Sequence, residues 1–106
     1  MDRIHLLNKD WKITGDMPTP ECNIEEIFKR SGGFKIHLQR DVFSIDVWWS
    51  ATLIPGGAFE LHYNVNRTSI INNIYPTSQY DTVETWINKR IESIEGAVYG
   101  TSSSLD

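Results

Sequence analysis

His37, Glu60 and His62 are the residues of this 106-residue chain whose types and spacing could do acid/base chemistry. Glu60 and His62 are two positions apart in a segment that alternates polar and apolar residues, so both side chains lie on one face of a strand, about 7 Å apart. A carboxylate and an imidazole that exchange protons with a substrate are a common pair in general acid/base catalysis. His37 occupies a similar polar position in a second alternating segment. The strands that carry these side chains therefore decide whether they form a site.

The pair of Glu60 and His62 resembles the carboxylate and imidazole that small ribonucleases use for acid/base cleavage. In this chain, Lys35 or Arg67 would then bind the phosphate. His37 does not join this pair, because the expected strand pairing separates the two histidines by about 20 Å. The chain has a net charge of −4 at pH 7, whereas a protein that holds nucleic acid through phosphates is typically basic. We therefore predict no catalytic residue, no metal ligand, no cofactor and no enzymatic activity. A small metal-independent ribonuclease that uses Glu60 and His62 is kept as an alternative.

Residues 34–66 show the period-two alternation of a three-stranded antiparallel meander. The apolar face, predicted to be the inside, contains Phe34, Ile36, Leu38, Phe43, Ile45, Val47, Trp49, Ala51, Leu53, Phe59, Leu61, Tyr63 and Val65. Trp49 and Tyr63 are thereby predicted to face the helices. Turns at Arg40-Asp41 and around Gly56 would join the strands. The expected facing pairs are Lys35 with Asp46 and Leu38 with Phe43 in the first hairpin, and Trp49 with Tyr63, Trp48 with Asn64 and Ser50 with His62 in the second.

Trp48 falls on the polar face of this predicted sheet. A large amphipathic ring at such a position indicates either a partner or a chain segment folded over it. Tryptophan is enriched among the residues that dominate binding energy, and acidic neighbours steer a basic partner. The predicted protein-binding site consists of Trp48, Asp46, Glu60, His62 and Asn64, and its partner would carry a basic surface. The alternative is that the N-terminal segment with Trp11, or Tyr75 and Tyr80, covers Trp48.

The other elements are predicted from apolar stripes and capping residues. Residues 1–22 form an N-terminal hairpin or edge strand and a loop, 23–31 a helix, 67–75 a possible edge strand, 82–96 a second helix, and 101–106 a polar tail. In the second helix Asp81 or Thr82 is the expected cap, Gly96 or Gly100 the expected end, and Glu95 lies on the polar side. The predicted fold is a single α+β domain: an antiparallel sheet of three to five strands with two helices packed on one face, a two-layer sandwich.

The compartment and the class of protein follow from what the sequence lacks. The chain starts without a basic segment followed by an apolar one, and Cys22 is its single cysteine, so we expect a cytoplasmic protein without disulfides. No apolar run is long enough to cross a bilayer. The expected partner is therefore a protein, not nucleic acid or a membrane.

A small, acidic, cytoplasmic α+β domain with an open sheet face resembles the immunity proteins of bacterial toxin systems, such as contact-dependent inhibition and polymorphic toxins. Those antitoxins bind one cognate toxin domain and block its active site or its cofactor. The resemblance lies in size, charge and architecture over the whole chain, and it transfers no site residue. It implies neutralisation of a toxin by direct binding, and a nuclease domain is the expected target. Phage-encoded inhibitors of host defence nucleases share the description, and an accessory subunit or adaptor is a further alternative.

Overall fold

The computed structural model describes residues 4, 8–17 and 34–100. Its five strands are β1 (Lys12–Gly15), β2 (Lys35–Arg40), β3 (Phe43–Ser50), β4 (Ala58–Val65) and β5 (Thr68–Pro76). They form one antiparallel sheet in chain order, with β1 and β5 at its edges. A 3-10 turn (Thr77–Gln79) leads into helix α1 (Tyr80–Val98), which packs on one face of the sheet. The α+β class and the antiparallel sheet of three to five strands are confirmed.

The number of helices differs from the prediction. The described residues contain one α-helix instead of two. The other predicted helix, 23–31, lies outside the described residues, as do most of the loop before it and the tail at 101–106. The two-layer arrangement seen here is therefore a five-stranded sheet covered by α1.

The alternation of residues predicts the faces of the strands correctly, but Ala51 and Leu53, predicted to lie inside, are exposed in the connection after β3. The core between sheet and helix contains Phe34, Ile36, Leu38, Ile45, Val47, Phe59, Leu61, Val83, Ile87, Ile91 and Ile94. Tyr63 is buried among them, and Trp49 packs against them, as predicted. Burying each such side chain stabilises the fold by roughly 1.5–3 kcal/mol, so this face dominates the folding free energy.

The register of the first hairpin differs from the expected one by two residues. Its turn is Asp41-Val42, with a positive φ of 52° at the aspartate. Lys35 therefore faces Trp48, and Asp46 faces His37 rather than Lys35. A shift of two residues leaves every side chain on its predicted face, because the side chains of a strand alternate with a period of two.

The second hairpin has a longer connection than expected, since residues 51–57 all lie outside the strands. Trp49 faces Phe59, and Trp48 faces Glu60. The expected partner of each tryptophan was the residue four positions further along the chain, so these pairings were wrong. The shift is again even, and the inner and outer faces are unchanged.

Helix α1 begins earlier and ends later than the predicted 82–96. Its N-cap is Gln79, which makes no capping hydrogen bond through its side chain, so the expected caps at Asp81 and Thr82 were wrong. Gly100, with a positive φ of 66°, follows the end of the helix. No helix among the described residues is long and apolar enough to span a membrane.

Glu95 was expected on the polar side of the helix, but it is only 2% exposed. Its carboxylate accepts hydrogen bonds from Asn8 Nδ2, from Arg40 Nη1 and, at 3.2 Å, from Trp11 Nε1. The guanidinium of Arg40 in turn lies 3.5 Å above the ring centre of Tyr99. Glu95 thus ties the segment before β1 and the end of β2 to the last turn of the helix.

Candidate binding face of the sheet

The face of the sheet opposite α1, here called the outer face, carries the polar positions of its three central strands. Its members are Lys35, His37, Gln39, Ser44, Asp46, Trp48, Ser50, Glu60, His62 and Asn64. Apart from Lys35 and Gln39 they are half-buried, because facing side chains on adjacent strands lie against one another. All five residues predicted to bind a protein partner lie on this face.

Trp48 and His62 form a stacked pair on the outer face. Their ring centres are 4.4 Å apart and their planes differ by 14°. Nε2 of His62 lies 3.2 Å from Oε2 of Glu60, the residue that faces Trp48 across the strands. The indole is therefore held in place by an imidazole that is itself held by a carboxylate.

The aromatic residues suggested as a cover for Trp48 lie elsewhere. Trp11 and Tyr80 are 4% and 6% exposed and belong to the core on the helix side. Tyr75 faces Phe59 across the strands and packs against the same core. The alternative in which these rings cover Trp48 is wrong.

Asp46 is the centre of a hydrogen-bond network beside the stacked pair. Its Oδ1 lies 2.5 Å from Nδ1 of His37, and its Oδ2 accepts a hydrogen bond of 3.2 Å from Asn64 Nδ2. The same amide donates to Ser44 Oγ at 3.3 Å, and Nε2 of His37 lies 3.2 Å from Gln39 Oε1. Each carboxylate oxygen thus has a partner, and the side chains of three strands are fixed relative to one another.

The predicted separation of the two histidines is wrong. His37 and His62 face Asp46 from the two neighbouring strands. They are therefore two strand spacings apart, about 10 Å, which is half of the predicted distance. The predicted separation was based on hairpin registers that differ from those in the structure.

The pKa of His37 is raised above its ordinary value of 6.5. The hydrogen bond to Asp46 is the main cause, whereas partial burial acts in the opposite direction. A hydrogen bond to Gln39 also raises this pKa, and the charge of Lys35 lowers it. The imidazolium form of His37 consequently persists to higher pH than that of a free histidine.

An open depression of about 600 Å³ lies beside this network. It is lined by His37, Gln39, Asp41, Val42, Ser44, Asn64, Asn66 and Arg67. Asn66 and Arg67 form the turn between β4 and β5, and their φ angles of 50° and 69° are those of a type I′ hairpin. Arg67 lies at this depression, while Lys35 faces Trp48, so the two suggested phosphate ligands are not brought together.

The prediction missed three members of the network: His37, Gln39 and Ser44. All three were assigned to the polar face, but the assumed turn placed His37 opposite Ser44 and away from Asp46. Recognising Asp41-Val42 as the turn would have found the contact, since aspartate tolerates a positive φ better than most residues. The connected polar network of the outer face therefore includes more residues than the predicted set, and Asp46 lies at its centre.

The described residues contain no group of three or more histidine, cysteine, aspartate or glutamate side chains that could hold a metal ion. Comparison of the chain with protein-family models, with curated proteins and with solved structures finds no match. The function of the outer face is therefore argued from its geometry.

Proposed function

We propose that this protein is a small binding protein that uses its outer face to hold a protein partner with a basic surface. The observation that carries the proposal is the stack of Trp48 on His62, held by Glu60, on the face of the sheet that the core does not use. Such a pair presents a broad apolar ring with little rotamer freedom left to lose. Preorganised aromatic groups of this kind supply much of the binding energy at protein interfaces.

The charges of the outer face favour a basic partner. The carboxylates of Asp46 and Glu60 flank the stacked rings in the middle of the face, where Lys35 is the one lysine or arginine among the ten outer-face residues, and the chain as a whole carries a net charge of −4. Electrostatic complementarity of this kind accelerates encounter and selects among partners more than it adds affinity. The depression lined by His37, Ser44 and Asn64, among others, offers a place for a polar side chain of the partner.

The partner that best suits this description is the catalytic domain of a toxin nuclease, whose substrate-binding surface must be basic to hold phosphates. Covering that surface would exclude the nucleic acid and neutralise the toxin. This function is the one expected of an immunity protein. An inhibitor of a host defence nuclease would work by the same physical means.

A ribonuclease that uses Glu60 and His62 is the second candidate, and the 3.2 Å contact between these side chains favours keeping it. The contact also limits the chemistry, because an acid and a base that act on one phosphate need to reach different oxygen atoms. Here Nε2 and Oε2 bind each other, and the imidazole is covered on one side by Trp48. We therefore favour binding over catalysis.

The test of the proposed function is protection from a toxin. A nuclease toxin domain, sought among the products of neighbouring genes, is produced with and without this chain, and its nuclease activity and its binding to the purified chain are measured. Stoichiometric binding with loss of nuclease activity supports the proposal. Nuclease activity that is unaffected by an excess of the folded chain overturns neutralisation, and cleavage of labelled RNA by the chain alone, lost on Glu60→Ala or His62→Ala, supports the ribonuclease instead.

A further inference from the structure

Strand β5 is an unusually open edge of the sheet. It is nine residues long, contains no charged side chain, and has its single proline, Pro76, at its last position. In the described part of the chain no strand pairs with its free side, since β5 is the last member of the sheet. About every second residue of such an edge points its N–H and C=O groups outward, which makes the edge a template for another strand.

The opposite edge of the sheet is shorter than β5 and carries charged side chains. Strand β1 has four residues, includes Lys12, and is flanked by Asp10 and Asp16. Short length and charged side chains are the usual means by which proteins prevent edges from pairing. The contrast points to β5 as the edge that is free to pair.

The side chains of β5 suit pairing with a second copy of the same strand. Ile70 and Ile74 are 54% and 51% exposed, and they lie two positions on either side of the exposed Asn72. In an antiparallel pair related by a two-fold axis, the residue on the axis faces itself. With Asn72 on the axis, each Ile70 faces the Ile74 of the second copy, so both exposed isoleucines become partly buried.

Charge at this edge does not oppose a second copy. Two chains that each carry a net charge of −4 repel one another at most surfaces. The uncharged strand β5 brings no further like charges together when it faces itself. The register of β5 on β4 skips Ile70, which has no facing residue between Tyr63 and Asn64, whereas residues 71–76 pair regularly with β4. Exposed and less exposed positions still alternate from Ile70 to Ile74.

We propose that this protein forms a symmetric dimer in which β5 pairs antiparallel with β5 of a second copy, centred on Asn72. The two five-stranded sheets then become one continuous sheet, and the two outer faces lie side by side. A partner of the outer face would meet two copies of the site built around Trp48. The dimer itself requires no partner, so its test is independent of the proposed function.

The test changes Asn72, the residue that faces its own copy on the proposed two-fold axis. Sedimentation equilibrium of the wild-type chain alone, over a wide range of concentration, is expected to give a monomer–dimer equilibrium. Asn72→Lys and Asn72→Glu each place like charges opposite one another on the axis and should raise the dimer Kd by about tenfold or more, the equivalent of about 1.4 kcal/mol. An equal mixture of the two variants places opposite charges on the axis and should restore the dimer.

Ser93→Lys is the matched control, because it adds the same charge at an exposed position of α1, away from the edge. It should leave the dimer Kd unchanged, and circular dichroism should show that all variants keep the fold. A wild-type chain that stays monomeric overturns the dimer, and so does assembly that continues beyond two copies. A dimer that survives in both single variants, or a mixture no tighter than either alone, overturns the pairing centred on Asn72.

Discussion

His37 and Asp46 face each other across β2 and β3, with Nδ1 of the imidazole 2.5 Å from Oδ1 of the carboxylate. This contact joins two strands on the outer face and is the main reason that the pKa of His37 is raised. Because Asp46 also accepts a hydrogen bond from Asn64, one carboxylate links β2, β3 and β4. The polar side of the sheet is therefore a connected network.

Replacing Asp46 by asparagine should lower the pKa of His37 towards or below its ordinary value of 6.5, since burial and Lys35 both lower it. A group whose pKa is raised on folding stabilises the protein below its unfolded pKa, and this contribution disappears as pH rises through the folded pKa. The stability difference between wild type and Asp46→Asn should thus be largest at mildly acidic pH. An NMR titration of His37 and urea unfolding at several pH values measure both effects, and an unchanged pKa would refute the assignment.

The buried carboxylate of Glu95 should be far more important for stability than its neighbour on the helix surface. Glu95→Ala removes the acceptor of Trp11 Nε1 and the buried ion-pair partner of Arg40, and it leaves that largely buried guanidinium with the more exposed Asp10, at 3.5 Å, as its carboxylate partner. Breaking a buried ion pair in this way costs about 3–5 kcal/mol. Glu92→Ala, an exposed change on the same helix, should stay within about 0.5 kcal/mol. Urea unfolding of both variants tests this, and equal losses would contradict the role given to Glu95.

The faces of the central strands could be predicted because the period of two does not depend on the pairing register. Trp49 and Tyr63 were placed inside although neither faces the residue that was expected. The registers could not be predicted, because they depend on the turns: Asp41-Val42 is a tight turn, whereas residues 51–57 form a long connection. A register shift of two or four residues leaves every side chain on the same face, so the alternation of polar and apolar residues cannot reveal it.

The same limitation applies to the contacts of single residues. The helical pattern of the sequence places Glu95 on the solvent-exposed side of the helix. In the structure it is buried because it binds Arg40, which lies 55 positions away in the chain. The network at Asp46 was missed for the same reason, since its partners come from other strands. Alternation and helical stripes identify faces, but the pairs within and between faces arise from the tertiary fold.

Gly57 and Gly56 offer a matched pair for the loop between β3 and β4, since their φ angles are 85° and 88°. A Cβ added at Gly57 would lie 2.5 Å from Cζ2 of Trp49, whereas one added at Gly56 would meet nothing within 4 Å. Trp49 has little room to move, because its Nε1 donates to Thr77 Oγ1 at 2.8 Å. Both alanine variants should lose about 1–2 kcal/mol from backbone strain. Gly57→Ala should lose a further 1–3 kcal/mol or so from overpacking.

Thermal or urea unfolding, followed by tryptophan fluorescence, separates the two glycine variants. The fluorescence spectrum of folded Gly57→Ala should also change, because the indole of Trp49 has to shift. Equal stabilities of the two variants would show that the ring accommodates the added methyl group.

If the outer face binds a basic partner, Glu60→Gln should mainly slow association and weaken its dependence on salt. The carboxylate lies at the centre of the face beside the stacked rings. Glu92→Gln makes the same change of net charge on the exposed side of α1 and should have a much smaller effect. Stopped-flow association with the toxin domain, at several ionic strengths, distinguishes a local charge effect from a general one. Equal rates for the two variants would remove Glu60 from the interface.

Trp48→Ala should weaken binding of the same partner by about 2 kcal/mol or more, because truncating a central aromatic residue removes much of the buried area of an interface. Most of the loss should appear in the dissociation rate. The fold should survive, since Trp48 lies on the outer face and is not part of the core. Trp48→Phe keeps an aromatic ring against His62 and should recover part of the affinity. If folded Trp48→Ala binds and protects as well as wild type, the interface lies on another surface of the molecule.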